Sequence, residues 1–319
     1  MPNKLVNKQT VAMRISKYAI PLALVLLVII FSLTSEAFLT SRNIFNIFRQ
    51  VSIVGICAVG MTFVILTGGI DLSVGSVIGV SVVSCSSLMV NGVHPVVAVL
   101  ISLLIGIVIG LINGVFINEI GIPPLITTLA MMTVLRGIAY MVTSGLPVYG
   151  FPKSFAVIGQ GYVGKIPVPV LIMVAIFIIG YVLITKTRFG RYVYGLGGNE
   201  EATRLSGVNV KKTKYKIYAL ESLLAAIAGV VLLSRVNSGQ PNAGEGYEMD
   251  IITAVVLGGV SISGGTGKIT GVITGVLLMG VLTNGMILTN VDEYTQWIVK
   301  GGVLLLAVSL DQISHKLKK

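Results

Sequence analysis

Ten apolar runs, each near the length needed to cross a bilayer, follow one another along this chain with little polar sequence between them. They centre on 18–34, 48–67, 72–90, 95–117, 123–143, 167–185, 215–236, 250–264, 269–288 and 294–311. Only 11% of the 319 residues are charged, against about 25% in a soluble domain. That is too little polar surface to solvate a globule, so lipid is the solvent for most of the chain. The fold expected is all-α and membrane-embedded, a single unit over residues 1–319 with about ten transmembrane helices. The eighth run is short and rich in Gly and Ser, which predicts a broken or re-entrant helix. Such backbone is tolerated at membrane depth only inside protein or beside a cavity.

The formal net charge of +11 would suggest nucleic acid in a soluble protein, but here the cations are segregated. Lys4, Lys8, Arg14 and Lys17 precede the first run, the stretch from Lys186 to Lys216 carries eight, and Lys268, Lys316, Lys318 and Lys319 add to the same side. The positive-inside rule then places both ends in the cytoplasm, which requires an even number of spans. The first run has a basic flank like a signal peptide, yet it is long and lacks a small-x-small site. It is read as a retained helix. The largest extracytoplasmic loop is 144–166 and the only sizeable cytoplasmic one is 186–214.

Within the runs, Gly106, Gly110 and Gly114, and Gly267, Gly271 and Gly275, recur every four residues. Small residues at this spacing let helix backbones approach closely in lipid. Leu111-Ile112-Asn113-Gly114 followed by Arg136 parallels Leu282-Thr283-Asn284-Gly285 followed by Lys300. The two pairs run in opposite directions, the pattern of an inverted repeat. A second likeness, between 68–73 and 258–263, does not keep this register.

Catalytic chemistry is absent from the pattern. Gly264-Gly265-Thr266-Gly267-Lys268 fails the P-loop spacing, because Ile262 and Ile269 stand where Gly and Ser or Thr are needed. His94 and His315 have no metal-ligand neighbours, and Cys57 and Cys85 lie in apolar runs as small hydrophobes. No enzyme, cofactor or metal site is expected. The polar groups inside or beside spans are Asp71, Ser73, Asn113, Arg136, Asn284 and Lys300, the candidates for a translocation path or gate. Intramembrane ions are costly and commonly functional. For Arg136 the alternative is a structural bond to carbonyls at a helix break, and for Asp71 it is a cap on the third span.

The sharpest local signal is cytoplasmic. Asn199 is a good N-cap, Glu200 and Glu201 suit a first turn, and Gly207 is a good stop. This predicts a helix of two turns through Asn199, Glu200, Glu201, Ala202, Thr203, Arg204, Leu205, Ser206 and Gly207.

Glu201-Ala202 followed by Gly207 resembles the coupling loop of ATP-binding-cassette (ABC) importer permeases. The run from Gly190 through Val210, Met61 through Gly75, Gln240-Pro241 through Gly259, and Ile298-Val299-Lys300 are similar to the ribose-type permeases of monosaccharide ABC transporters. The likeness covers about residues 50–310. It implies a bacterial inner-membrane homodimer, surrounded by lipid, that partners an ATPase subunit and an extracytoplasmic sugar-binding protein. ATP is then bound by the partner, 199–207 docks on it, and Lys153, Lys165, Glu245, Glu248 and Asp250 contact the binding protein. Galactose, xylose and autoinducer-2 permeases share this frame, so cargo stays open between them and ribose. The runner-up class is an ion-coupled secondary carrier.

Overall fold

The computed structural model describes residues 20–316. The tail cations Lys4, Lys8, Arg14, Lys17, Lys318 and Lys319 lie outside them. The helices are α1 (Ile20–Thr34), α2 (Ser41–Leu66), α3 (Val74–Val90), α4 (Pro95–Val115), α5 (Pro124–Thr143), α6 (Val157–Gln160), α7 (Val168–Lys186), α8 (Arg188–Gly198), α9 (Glu200–Leu205), α10 (Val210–Val236), α11 (Tyr247–Leu257), α12 (Ile269–Leu288) and α13 (Glu293–Lys316). Each of the ten expected runs contains one helix. Seven helices are long and apolar enough to cross a membrane, and α1 and α3 are shorter apolar helices. The fold is thus an all-α membrane bundle.

Burial separates an inner from an outer set. The most apolar window of α2 is 83% buried and that of α10 is 78%, whereas those of α5 and α13 are only 22% and 6% buried. The exposed side chains on the outer helices, such as Leu129, Val134, Ile298 and Leu305, are those that lipid solvates. α10 packs against α2, α3 and α4, and α2 also packs against α7, α11 and α12. The glycine spacing on α4 explains its closeness to α10. A Cβ on Gly110 would run into the Tyr218 carbonyl and Ala219 Cα, and one on Gly106 would meet Ser222 and Ala226.

Two of the inner helices stop short. α11 has 11 residues, about 16 Å at ~1.5 Å per residue, half of a ~30 Å hydrocarbon core. It ends at Gly258, and a turn-rich segment over 258–268 leads to α12. The expected span 250–264 is therefore a half-helix followed by loop, buried by α2, α12 and α13. The segment is pinned by Asp311 of α13, whose Oδ2 accepts from Ser261 Oγ at 3.0 Å and Ile262 N at 3.1 Å. α3 likewise begins late, after the non-helical residues 67–73.

Besides the helix expected over 199–207, the stretch 186–214 holds α8 and the start of α10. Thr187 caps α8, and Val193 and Leu196 turn inward on one face. The glycines at 195, 197 and 198 mask that periodicity in the sequence. The loop 144–166 folds down on the end of α10: Gly159 N donates to Ser234 Oγ, which donates to the Phe155 carbonyl, both at 2.7 Å. A two-residue hairpin pairs Tyr162–Val163 with Ile166–Pro167.

Candidate functional site

The polar residues gather in two places. The first is α9 and its seat. Asn199 Oδ1 accepts from Ala202 N at 2.9 Å, so the expected N-cap is made. Glu200 pairs with Lys214 at 2.8 Å and Glu201 with Arg204 at 2.6 Å. The Arg204 hydrogen bond holds the Glu201 carboxyl below the usual glutamate range. Gly207 has a φ of 83°, the left-handed conformation that ends a helix. No residue of α9 is buried, and Leu205 is 77% exposed.

α8 joins this helix to the bundle. Phe189 stacks on Phe63 of α2 with ring centroids 5.7 Å apart, and Tyr194 donates to the Gly267 carbonyl at 2.8 Å. A Cβ on Gly197 would collide with the Leu66 carbonyl and Gly265 N. Gly265 N in turn donates to the Leu66 carbonyl at 2.8 Å. A displacement of α8 therefore presses on the end of α2 and on the 258–268 segment together.

The second place lies inside the bundle, where the α2–α3 connection meets α4, α5 and α10. Asp71 is fully buried. Its Oδ1 accepts from Ser73 N at 2.8 Å and Ser73 Oγ at 2.6 Å, so it holds the residue before α3. Asn113 Nδ2 donates to Ser73 Oγ at 3.1 Å. Glu221 of α10, fully buried, sets its carboxyl beside that of Asp71, and among the described residues neither of its oxygens has a hydrogen-bond partner. α10 starts at Val210, so Glu221 sits about three turns in. It is not among the expected path residues, and its signal in the sequence is a lone acid in Ala219-Leu220-Glu221-Ser222-Leu223.

The remaining path candidates separate. Arg136 Nη1 donates to the Pro241 and Ala243 carbonyls, both at 3.0 Å, at the turn before α11. Asn284 forms a reciprocal amide pair with Asn43 of α2 at 2.9 Å. Lys300 of α13 bonds Asp250 of α11 at 2.7 Å. Asp250 is 7% exposed and so lies inside the bundle, a correction to its expected place on an outer docking face. Glu248 is half-buried, while Lys153, Lys165 and Glu245 are exposed.

Comparison with known proteins agrees with this architecture. The family model described as branched-chain amino acid transport system / permease component matches residues 43–308. The ribose import permease protein of Bacillus subtilis (strain 168) is 51% identical over 293 residues, 91% of each chain. That of Escherichia coli (strain K12) is 46% identical over 294 residues, covering 91% of this chain and 92% of its own. The L-arabinose transport system permease protein of Escherichia coli (strain K12) is 43% identical, covering 88% of this chain and 86% of its own. No solved structure matches. The bundle, its half-helix and the match across 43–308 together make this chain a member of the branched-chain amino acid transport system / permease component family, a transport component and not an enzyme.

Proposed function

We propose that this chain is the permease subunit of an ABC importer that carries ribose across the bacterial cytoplasmic membrane. It would work as a homodimer with a separate ATPase subunit, which binds the ATP, and an extracytoplasmic sugar-binding protein. In this reading it is a single permease unit of ten membrane helices, with both ends and α9 in the cytoplasm. The observation that carries it is α9: a capped, charged, wholly unburied helix with an exposed Leu205, seated on α8 against the ends of α2 and the 258–268 segment. The names of the relatives supply the cargo.

The mechanism follows from the contacts. ATP-driven closure of the partner subunits shifts α9, α8 carries the shift to Leu66 and Gly265, and the α2–α3 connection that holds Asp71 and Ser73 moves with it. That connection touches α5 through Thr128, which donates to the Ile70 carbonyl at 3.2 Å. Packed cores respond to such pushes by switching between discrete arrangements, which is what alternating access requires. Packing also supports an inverted repeat. α3 packs against α4 and α5 as α11 packs against α12 and α13, and α2 and α10 lie together at the centre. In that frame α4 and α5 correspond to α12 and α13, the register that paired Asn113 with Asn284 and Arg136 with Lys300. The exposed Lys153 and Lys165 are the charges open to a binding protein.

Uptake of labelled ribose in cells that lack their own permease, supplied with this chain and its ATPase and binding protein, tests the reading. Saturable uptake supports it. Uptake of arabinose or xylose without ribose would favour the second reading, another pentose, which the 43% and 34% identical relatives motivate. The secondary-carrier reading is set aside by the family.

A further inference from the structure

Arg136 lies 12 residues beyond Pro124, the start of α5, about 18 Å along the helix at ~1.5 Å per residue. That places it inside the span, 7 residues short of its end at Thr143. Beside it opens a cavity of about 490 Å³ lined by Thr133, Gly137, Tyr140, Glu245 and Glu248. Three ionisable side chains around one open cavity cannot face acyl chains without a large cost, so this part of α5 faces water or another protein surface. Its shape is fixed by the backbone behind it. Arg136 is held by the two carbonyls before α11 through Nη1, and among the described residues no bond occupies its Nε or Nη2. Glu248 Oε2 lies against Gly75, where any Cβ would collide with it and with the Gly244 carbonyl.

We infer that this cavity is a polyol-binding station, in which the free N–H groups of Arg136 and the carboxylates of Glu245 and Glu248 pair with the hydroxyls of a pentose while Tyr140 offers an apolar face to its ring. A vicinal diol is both donor and acceptor, so it satisfies a guanidinium and a carboxylate at once. One guanidinium among two carboxylates disfavours an anion. The inference rests on the sugar-import reading and names where on this chain the sugar is met.

Gly137 supplies the probe. A Cβ there meets nothing within 4 Å, and the native Cys57 and Cys85 are buried. The full chain carrying Gly137→Cys, in proteoliposomes, is labelled with a water-soluble thiol reagent in the presence and absence of ribose. Labelling proceeds from water and slows about tenfold when ribose exceeds its dissociation constant about tenfold, because only the unoccupied fraction reacts. The protection disappears when Glu248→Gln is added. Thr133→Cys serves as a second probe of the same cavity if Gly137→Cys assembles poorly. Equal rates with and without ribose over its whole soluble range, or protection by leucine in place of ribose, would overturn the assignment. Ribose uptake that persists in the reconstituted importer while the cavity shows no protection refutes the station alone, whereas loss of ribose uptake altogether refutes the import reading.

Discussion

At the residue scale, the buried polar groups are held by specific partners, and each partnership sets a testable cost. Asp71 satisfies two donors of Ser73, so Asp71→Ala orphans a buried N–H and hydroxyl. Thermal unfolding in detergent is expected to show a loss of about 1–3 kcal/mol. Glu221→Gln, by contrast, places a neutral amide beside Asp71 where two carboxyls now meet, and stability is expected to hold or rise. A marked loss in that variant would show that the carboxylate itself is required. A double-mutant cycle on Asn43→Ala and Asn284→Ala should return a coupling of about 0.6 kcal/mol, the typical worth of a side-chain hydrogen bond between membrane helices. The sequence marked Asp71, Asn113, Arg136, Asn284 and Lys300 as polar groups in apolar runs. It could not pair them, because, Asp71 apart, their partners lie 40 or more positions away. The Arg136 bonds are to carbonyls, which no side-chain pattern encodes.

At the element scale, α9 was legible and α8 was not, for one physical reason. Caps are local, so Asn199, Glu200, Glu201 and Gly207 announce α9 within nine residues. The apolar face of α8 is interrupted by glycines that the sequence alone suggests are loop. Gly197 is there because α8 crosses the Leu66 carbonyl at backbone contact, and Gly197→Ala should lower transport with normal membrane insertion, read by uptake against expression. Asn199→Ala removes the cap and is expected to cost α9 about 1 kcal/mol, weakening coupling without unfolding the bundle. Because the Glu201 carboxyl is held below its ordinary range by Arg204, the pair contributes above the unfolded glutamate value and is lost only as pH falls through the lowered one. Coupling should therefore be insensitive to Glu201 between pH 8 and about pH 5.

At the scale of the whole molecule, the segregation of Lys and Arg, the ten apolar runs and the short α11 are what the proposed two-sided bundle rests on, with one face for an ATPase and one for a binding protein. A cysteine at Ser154 is expected to react from outside intact spheroplasts, and one at Thr203 only after permeabilisation; the reverse pattern would invert the topology. In the proposed mechanism α9 is the contact through which ATP hydrolysis drives the bundle. The direct measurement is ATP hydrolysis by the ATPase subunit reconstituted with this chain and stimulated by ribose-loaded binding protein, compared with Leu205→Asp. The account predicts stimulation with the unaltered chain and its loss in Leu205→Asp, with an unchanged melting temperature because Leu205 touches little of the bundle. Full stimulation in Leu205→Asp, or no association between this chain and the ATPase subunit, would contradict it.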